Sequence, residues 1–324
     1  VGTIGNREKQ QELTDLRAQN KKIYSFSKLG TMDQCPYSAY LSYVKKERGE
    51  GNIYSYLGGI AHDRLEGMMN GESFELSFPE LIKSEVENAK ALNMKFPKGR
   101  YDPNSIEKSW VADMMDFSKN FIVPNGRFDT EQFLLYKIDE DHYLQGYIDL
   151  VKYEKDGSVS IYDWKTSSEY VGDALTHGGR QLIMYGMALQ KQGYKIKNLA
   201  WVFLKYAQID FVGFPRSNSK TKKAITKISK RGAIVKTLLP FIQSELRYLK
   251  YDDIEIEYYK KQLYADNTLD CLPDEVKDMF DINPYVLKYD FTLERQHETL
   301  EYMNNMIQLF ETKGENEAEW PAKD

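Results

Sequence analysis

"YIDLVKYEKDGSVSIYDWKT", residues 147–166, decides the fold. Two runs rich in aromatic and β-branched residues flank "KDG", which makes the stretch a β-hairpin. Each strand carries an aspartate among apolar neighbours, and the loop length sets how the two meet. A three-residue loop, with Gly157 in the left-handed position such loops favour, sets Glu154 opposite Ser158 and Asp149 opposite Asp163. A two-residue "DG" turn would shift the register by one and pair Asp149 with Trp164. The odd loop is the expectation. It places Asp163 and Lys165 on one face and turns Trp164 the other way, into packing.

Two carboxylates about 4 Å apart repel by roughly 4 kcal/mol at an effective dielectric near 20. Such a pair destabilises the fold unless positive charge sits between its members. Lys165 alone would make a structural ion pair, whereas a divalent cation would take the hard carboxylate oxygens as ligands. Asp-x-Lys by itself decides little, because "EVK" at Glu275–Lys277 has the same form and follows Pro273 like a helix start.

Reading outward, "GGIAHDRLE" places His62 in the middle of a helix over 55–69, with Glu66 one turn later on the same face. Gly58 and Gly59 thin the preceding turn so that another backbone can approach. "GGRQLIMYGMALQKQG" is a helix ending at Gly193, with Gln181 and Tyr185 one turn apart. Strands are expected at 133–138, 143–151, 158–164 and 199–206, with a fifth at "QIDFVGF". "SFSKLGTMDQCPYSAYLSYV", residues 25–44, reads as a short amphipathic helix behind a serine cap. Residues 72–128 are mostly helical, punctuated by Pro79, Pro97, Pro103 and Pro124. Helix, three strands, helix and strand in that order make an α/β fold with a mixed sheet. The chain divides into a polar arm or helix at 1–24, a core at 25–214 with a helical insertion at 72–128, and a basic segment with a helical C-terminal region at 215–324.

With 324 residues and 41% hydrophobic content, the chain has ample core for one large domain or two small ones. It holds no apolar run near the roughly 20 residues of a membrane span, and no signal segment is read. Two cysteines, Cys35 and Cys271, make no disulfide framework and favour a reducing cytosol. The net charge of -5 excludes a general basic coat for nucleic acid. Local charge differs: from Arg216 to Arg231 there are seven basic residues and no acidic one. That stripe is either a solvated face or a phosphate-attracting surface.

In this order, "SFSKLGTMDQCPYSAYLSYV", "GGIAHDRLE", "GYIDLV", "IYDWKT" and "QLIMY" resemble the PD-(D/E)XK nuclease superfamily, and within it the RecB-like branch of phage exonucleases and CRISPR-adaptation nucleases. The resemblance spans residues 25–185 and implies an αβββαβ restriction-endonuclease-like core. It implies His62, Asp149 and Asp163 as ligands of Mg²⁺ or Mn²⁺, with the Trp164 carbonyl adding one more. It makes Lys165 the catalytic lysine that orients or deprotonates the attacking water. Gln181 and Tyr185 match the branch motif that contacts DNA or braces the site, and Glu66 is either a supporting acid or a simple helix-face residue.

The implied activity is divalent-metal-dependent DNA hydrolysis, most characteristically by an exonuclease in recombination, repair or phage replication. The implied surroundings are the cytoplasm, DNA as substrate, and a helicase or recombination protein as partner. A catalytically idle DNA-binding scaffold and a site-specific endonuclease are the alternatives. Lys220, Lys222, Lys223, Lys227, Lys230 and Arg231 are the candidates for holding the phosphate backbone. Many members of the branch carry an iron-sulfur cluster on one early and three late cysteines. Cys35 matches the early position, but two thiols cannot supply four ligands. The ending "EWPAKD" resembles the approach to the late cysteines, so the expectation is a native chain that runs on into them. His142, His177 and His297 are left unassigned, with His177 read as a loop residue.

Overall fold

The computed structural model describes residues 4–47, 51–96, 103–215, 224–314 and 316–322. Helix α1 (Ile4–Ala18) leads into a short strand β1 (Lys22–Ser25). Ser25 then caps α2 (Phe26–Gln34) by accepting from the Lys28 N–H. Pro36 cannot continue that helix. The stretch expected as one helix is therefore broken into α2, α3 (Pro36–Ala39) and a π-helical turn at Tyr40–Val44, with Cys35 at the break. Next come α4 (Ile53–Met69), α5 (Phe78–Ala91) and α6 (Pro103–Asn120). Pro79 lies in the first turn of α5 beside a Ser77–Glu80 capping box, and Pro103 opens α6, so both prolines start helices.

The sheet follows with β2 (Arg127–Lys137), β3 (His142–Tyr153) and β4 (Val159–Lys165), then α7 (Asp173–Lys191) and β5 (Ile196–Val212). Residues 199–214 were expected as two strands. They form one, because β5 runs unbroken through "KYAQ" and absorbs the irregularity as a shift between Phe203 and Ala207 in its pairing with a later strand. The end of the basic stretch, read as a solvated face or a phosphate-attracting surface, forms a strand: β6 (Ala224–Lys230) pairs antiparallel with β5 from Tyr206 to Val212. Helices α8 (Ile234–Tyr248), α9 (Asp253–Asp266) and α10 (Asp274–Lys277) precede β7 (Phe280–Tyr289) and α11 (Leu293–Thr312). "EVK" falls in α10, behind Pro273.

The hairpin register is the odd one. Tyr153 pairs with Val159 and Leu150 with Tyr162, the Glu154 N–H donates to the Ser158 carbonyl, and Gly157 has φ +80°. Continued by one step, this register sets Asp149 against Asp163. The seven strands make one mixed sheet with two shared edges. On one side of β3, β1 runs parallel along His142–Gln145 and β4 antiparallel along Leu150–Tyr153. Residues 146–149 lie in the notch between them. On one side of β5, β4 pairs up to Phe203 and β6 begins at Tyr206, while β7 lies along the other side. These two forks position everything that follows.

Both faces of the sheet are covered. Val151, Val159, Ile161 and Trp201 pack with Leu182, Met184 and Leu189 of α7. On the other face, Leu150, Trp164 and Leu204 pack with Leu57 and Leu65 of α4, Ile82 of α5 and Trp110 of α6. A third cluster joins Ile209 and Phe211 of β5 to Leu238 and Ile242 of α8, with Cys271 at its margin. A fourth, small one is a clasp in which Trp320 is buried against Met32, Ala39 and Tyr40. The Tyr37 N–H donates to the Pro321 carbonyl, and the Trp320 indole donates to the Gly314 carbonyl. Cys35 therefore lies beside the clasp and Cys271 in a different cluster. No helix among the described residues is long and apolar enough to cross a membrane.

Candidate active site

His62 stands in α4, which Asn52 starts by accepting from the Ser55 N–H. The helix comes close to the end of β4 at one glycine only: a Cβ on Gly58 would sit 3.2 Å from Thr166 Oγ1, whereas one on Gly59 would meet nothing. That approach brings His62 Nδ1 to 3.6 Å from Asp149 Oδ2. The Trp164 N–H donates to the same Asp149 oxygen at 2.6 Å, which fixes the carboxylate at the notch. The Trp164 side chain is turned into the α4-side core, and its ring stands edge-on to the His62 imidazole with centroids 6.0 Å apart.

Asp163 is 2% exposed, and Lys165 Nζ lies 2.5 Å from its Oδ2. The contact is a buried ion pair. Burial pushes the Asp163 carboxyl up, Lys165 opposes the shift and Asp149 adds to it. Burial alone would lower the Lys165 ammonium, but Asp163, Tyr170 and Asp149 hold it well above its ordinary range. The His62 imidazole behaves likewise: burial pulls it down, Asp149 and Asp163 outweigh that pull, and the net shift is upward.

The structure adds an acid that the sequence reading passed over. His62, Glu131 and Asp149 can each offer one ligand atom, all within 4.8 Å of one another. On β2, Thr130 pairs with Leu150 and Gln132 with Ile148, so Glu131 falls opposite Asp149 in the one position the ladder skips. Its φ is +45°, an unusual conformation for a residue with a Cβ and one that clusters at functional sites. Burial raises the Glu131 carboxyl to about 7, with Asp149 and Glu66 adding and His62 opposing. Asp163 lies outside this group of three, engaged by Lys165.

The group fits a divalent cation. Oxygen and nitrogen donors lying about 2.0–2.6 Å from such an ion are at most roughly 4–5 Å apart. An imidazole with two carboxylates also suits a first-row or alkaline-earth ion, and a cation would offset the burial and, after it, the repulsion from Asp149 that raise the Glu131 carboxyl. Glu131→Gln removes one repelling charge and one donor. It is expected to raise the melting temperature of the metal-free protein and to shrink the further rise on adding Mn²⁺, both readable by differential scanning fluorimetry.

Gln181 and Tyr185 are one turn apart on α7, and the Gln181 amide donates to the Tyr185 hydroxyl at 2.8 Å. Burial, then Asp163, raises the Tyr185 phenol well above its ordinary value. Both line a cavity of about 440 Å³ with Ser25, Ser27, Gln145 and His177. His177 is in α7 rather than a loop, packed on Phe26 at 5.6 Å between ring centroids. Glu66 is half-buried on α4, its carboxyl raised by burial and by Asp63.

The proposed phosphate-holding lysines fare differently. Lys220, Lys222 and Lys223 lie outside the described residues, and Lys227 and Lys230 are exposed on β6. Arg231 is 2% exposed and bound inside the protein, donating to Asp116 Oδ2 at 2.7 Å and to the Leu204 carbonyl at 3.1 Å. It is a structural cation, because a guanidinium already desolvated and paired cannot also meet DNA.

A model of the PD-(D/E)XK nuclease superfamily matches residues 23–272. No curated protein matches. Among solved structures, the chain is similar to the crystal structure of SSO0001 at 13% identity and a TM-score of 0.23, over 61% of this chain and 89% of that one. The family match runs from β1 through the notch, both forks and α7, well over half of the chain. This protein therefore belongs to the PD-(D/E)XK nuclease superfamily, and that membership implies a metal-dependent nuclease.

Proposed function

We propose that the protein is a divalent-metal-dependent deoxyribonuclease of the RecB-like branch, an exonuclease working in recombination, repair or phage DNA replication. One observation carries the reading: an imidazole from α4 and carboxylates from β2 and β3 meet within the span of a single ion, with the Asp163–Lys165 pair on the adjoining strand. His62, Asp149 and Glu131 would hold the ion, with Asp163 and the Trp164 carbonyl on β4 as the further donors that the likeness to the branch suggests. When bound, Mg²⁺ or Mn²⁺ supplies a Lewis acid for the phosphate and lowers the pKa of water beside it.

The rest of the work falls to the chain itself. The Trp164 N–H keeps Asp149 aimed at the notch. Lys165, paired with Asp163, contributes positive charge and orients or deprotonates the attacking water. Gln181 and Tyr185 lock each other's rotamers at the rim, where a strand would pass. The exonuclease and branch readings rest on the pattern of His62, Gln181 and Tyr185, and they imply a helicase or a recombination protein as partner.

End-labelled single- and double-stranded DNA, linear and circular, incubated with Mg²⁺, Mn²⁺ or a chelator, tests this. The expected result is loss of linear DNA from its ends with either metal and none with chelator. Circular DNA cut as fast as linear would make the protein an endonuclease. Binding without hydrolysis under every metal would leave a DNA-binding scaffold.

A further inference from the structure

The fork on β5 leaves a second cavity next to the site, of about 700 Å³, within the size range of pockets that take small ligands. Its place follows from the topology. Strand β4 leaves β5 after Phe203 and β6 joins at Tyr206, so Leu204 and Lys205 have no strand beside them on that edge. Arg231 takes the Leu204 carbonyl, and Lys205 turns into the gap. The lining is cationic and hydroxyl-rich, including Lys205, Lys230, Ser55, Ser109 and Thr166, with Trp110 and Tyr54 as the aromatic part of the wall.

Lys205 Nζ sits 4.4 Å from the centroid of the Trp110 ring, which holds its stem in place. Burial pulls its ammonium down to about 8, Asp113 opposing and Lys230 adding. Lys205 and Lys230 therefore bring two ammonium groups to one half-buried gap, with Asp113 as the acid near Lys205. Asp113, behind it, is buried with one oxygen accepting from the Gly232 N–H, and burial raises that carboxyl to about 6. The gap therefore has room and hydrogen-bond donors for an external anion.

Its position relative to the site says which anion. Ser55, Gly58 and His62 fall on one face of α4 at spacings of three and four, and the helical rise puts the cavity about 6–10 Å from His62 along the axis. Thr166 directly follows Lys165. A strand with its scissile phosphate at the notch would carry a neighbouring nucleotide into this gap.

We propose that the cavity at the β4–β6 fork is a nucleotide subsite, in which the phosphate of a nucleotide adjoining the scissile bond lies between Lys205 and Lys230. The seryl and threonyl hydroxyls complete the phosphate's hydrogen bonds, and the base lies toward the exposed ring of Tyr54. This subsite rests on the nuclease reading for its role, but its chemistry, recognition of a phosphorylated nucleoside, can be measured apart from hydrolysis.

The test is calorimetric binding to the full chain in chelator, with 5′- and 3′-deoxynucleoside monophosphates, the unphosphorylated deoxynucleoside and inorganic phosphate as separate titrants. The expected result is binding of one monophosphate at least about tenfold tighter than of the nucleoside or of phosphate alone, with the preferred isomer giving the direction of the strand. Lys205→Met keeps the volume of the stem, and Lys230→Gln is a change at an exposed position. Each should weaken monophosphate binding about tenfold, the scale of one charge-assisted hydrogen bond. Lys236→Met, on the exposed side of α8, should not alter it. Equal affinities for nucleoside and monophosphate, no binding of either, or indifference to both lysine substitutions would overturn the proposal. DNA hydrolysis measured with metal on the same preparations separates the two readings: hydrolysis without monophosphate recognition removes only the subsite, and recognition without hydrolysis removes only the nuclease activity.

Discussion

Lys165→Met lowers metal-dependent DNA hydrolysis by about 10²–10³-fold, the expected result of removing the ammonium held beside Asp163. The substitution keeps the length and most of the volume of the stem. It also leaves Asp163, 2% exposed, without its counter-ion. A carboxyl whose burial already favours the neutral form takes up a proton rather than remaining a bare charge, so the fold survives. The loss of stability is then that of one unsatisfied polar group, about 1–3 kcal/mol, visible as a lower melting temperature. DNA affinity in chelator should change less than tenfold, because phosphate contacts elsewhere carry most of it. Hydrolysis at the wild-type rate by the folded variant would remove the β4 pair from the chemistry.

Arg231→Ala is the largest expected stability effect. The guanidinium ties α6 to β5 by donating to Asp116 and to the Leu204 carbonyl, and it lies 5.4 Å from the centroid of the Phe117 ring. Removing one partner of a buried pair costs about 3–5 kcal/mol. At about 2–4 °C per kcal/mol for larger domains, the melting temperature should fall by roughly 6–20 °C. The salt dependence of DNA binding, measured well below that temperature, should be unchanged. A DNA-contacting arginine would do the reverse, leaving the melting temperature alone and reducing the slope of log affinity against log salt by about one.

Local rules carried the hairpin at residues 147–166. Loop length fixes register, register fixes which side chains are opposed, and "KDG" leaves few options. The helices of His62 and of Gln181 and Tyr185 were legible for a similar reason, a strong helical period. Glu131 was not, because "RFDTEQ" at 127–132 has polar and apolar residues in no strand-like alternation, and a left-handed residue inside a strand has no sequence signal when it is not glycine. Strand β6 was hidden by its charge, since four of its seven residues are exposed at a sheet margin and propensity there yields to context. Pro284 hid β7. Proline reads as a breaker, yet here it opposes Ala207 at the irregularity between Phe203 and Ala207, where a missing ladder N–H costs least. The β5 fork is a property of four segments at once, so neither it nor the cavity beside Lys205 could be read from any one of them.

The clasp around Trp320 carries a consequence for biosynthesis. Tyr37 bonds Glu317 across a sequence separation of 280 residues, its N–H bonds the Pro321 carbonyl, and Trp320 packs on Met32, Ala39 and Tyr40, so one side of the α2–α3 platform is closed from the far end of the described chain. Ser25 and Ser27, at the start of this platform, face the same cavity as Gln181 and Tyr185. The clasp residues are made after the strands and α7, so the α2–α3 platform gains its packing on Trp320 only once those elements have been synthesised. The α2–α3 platform, made early, therefore waits on residues 317–321 for one of its packed sides, a long-range closure that the local hairpin at 147–166 does not share.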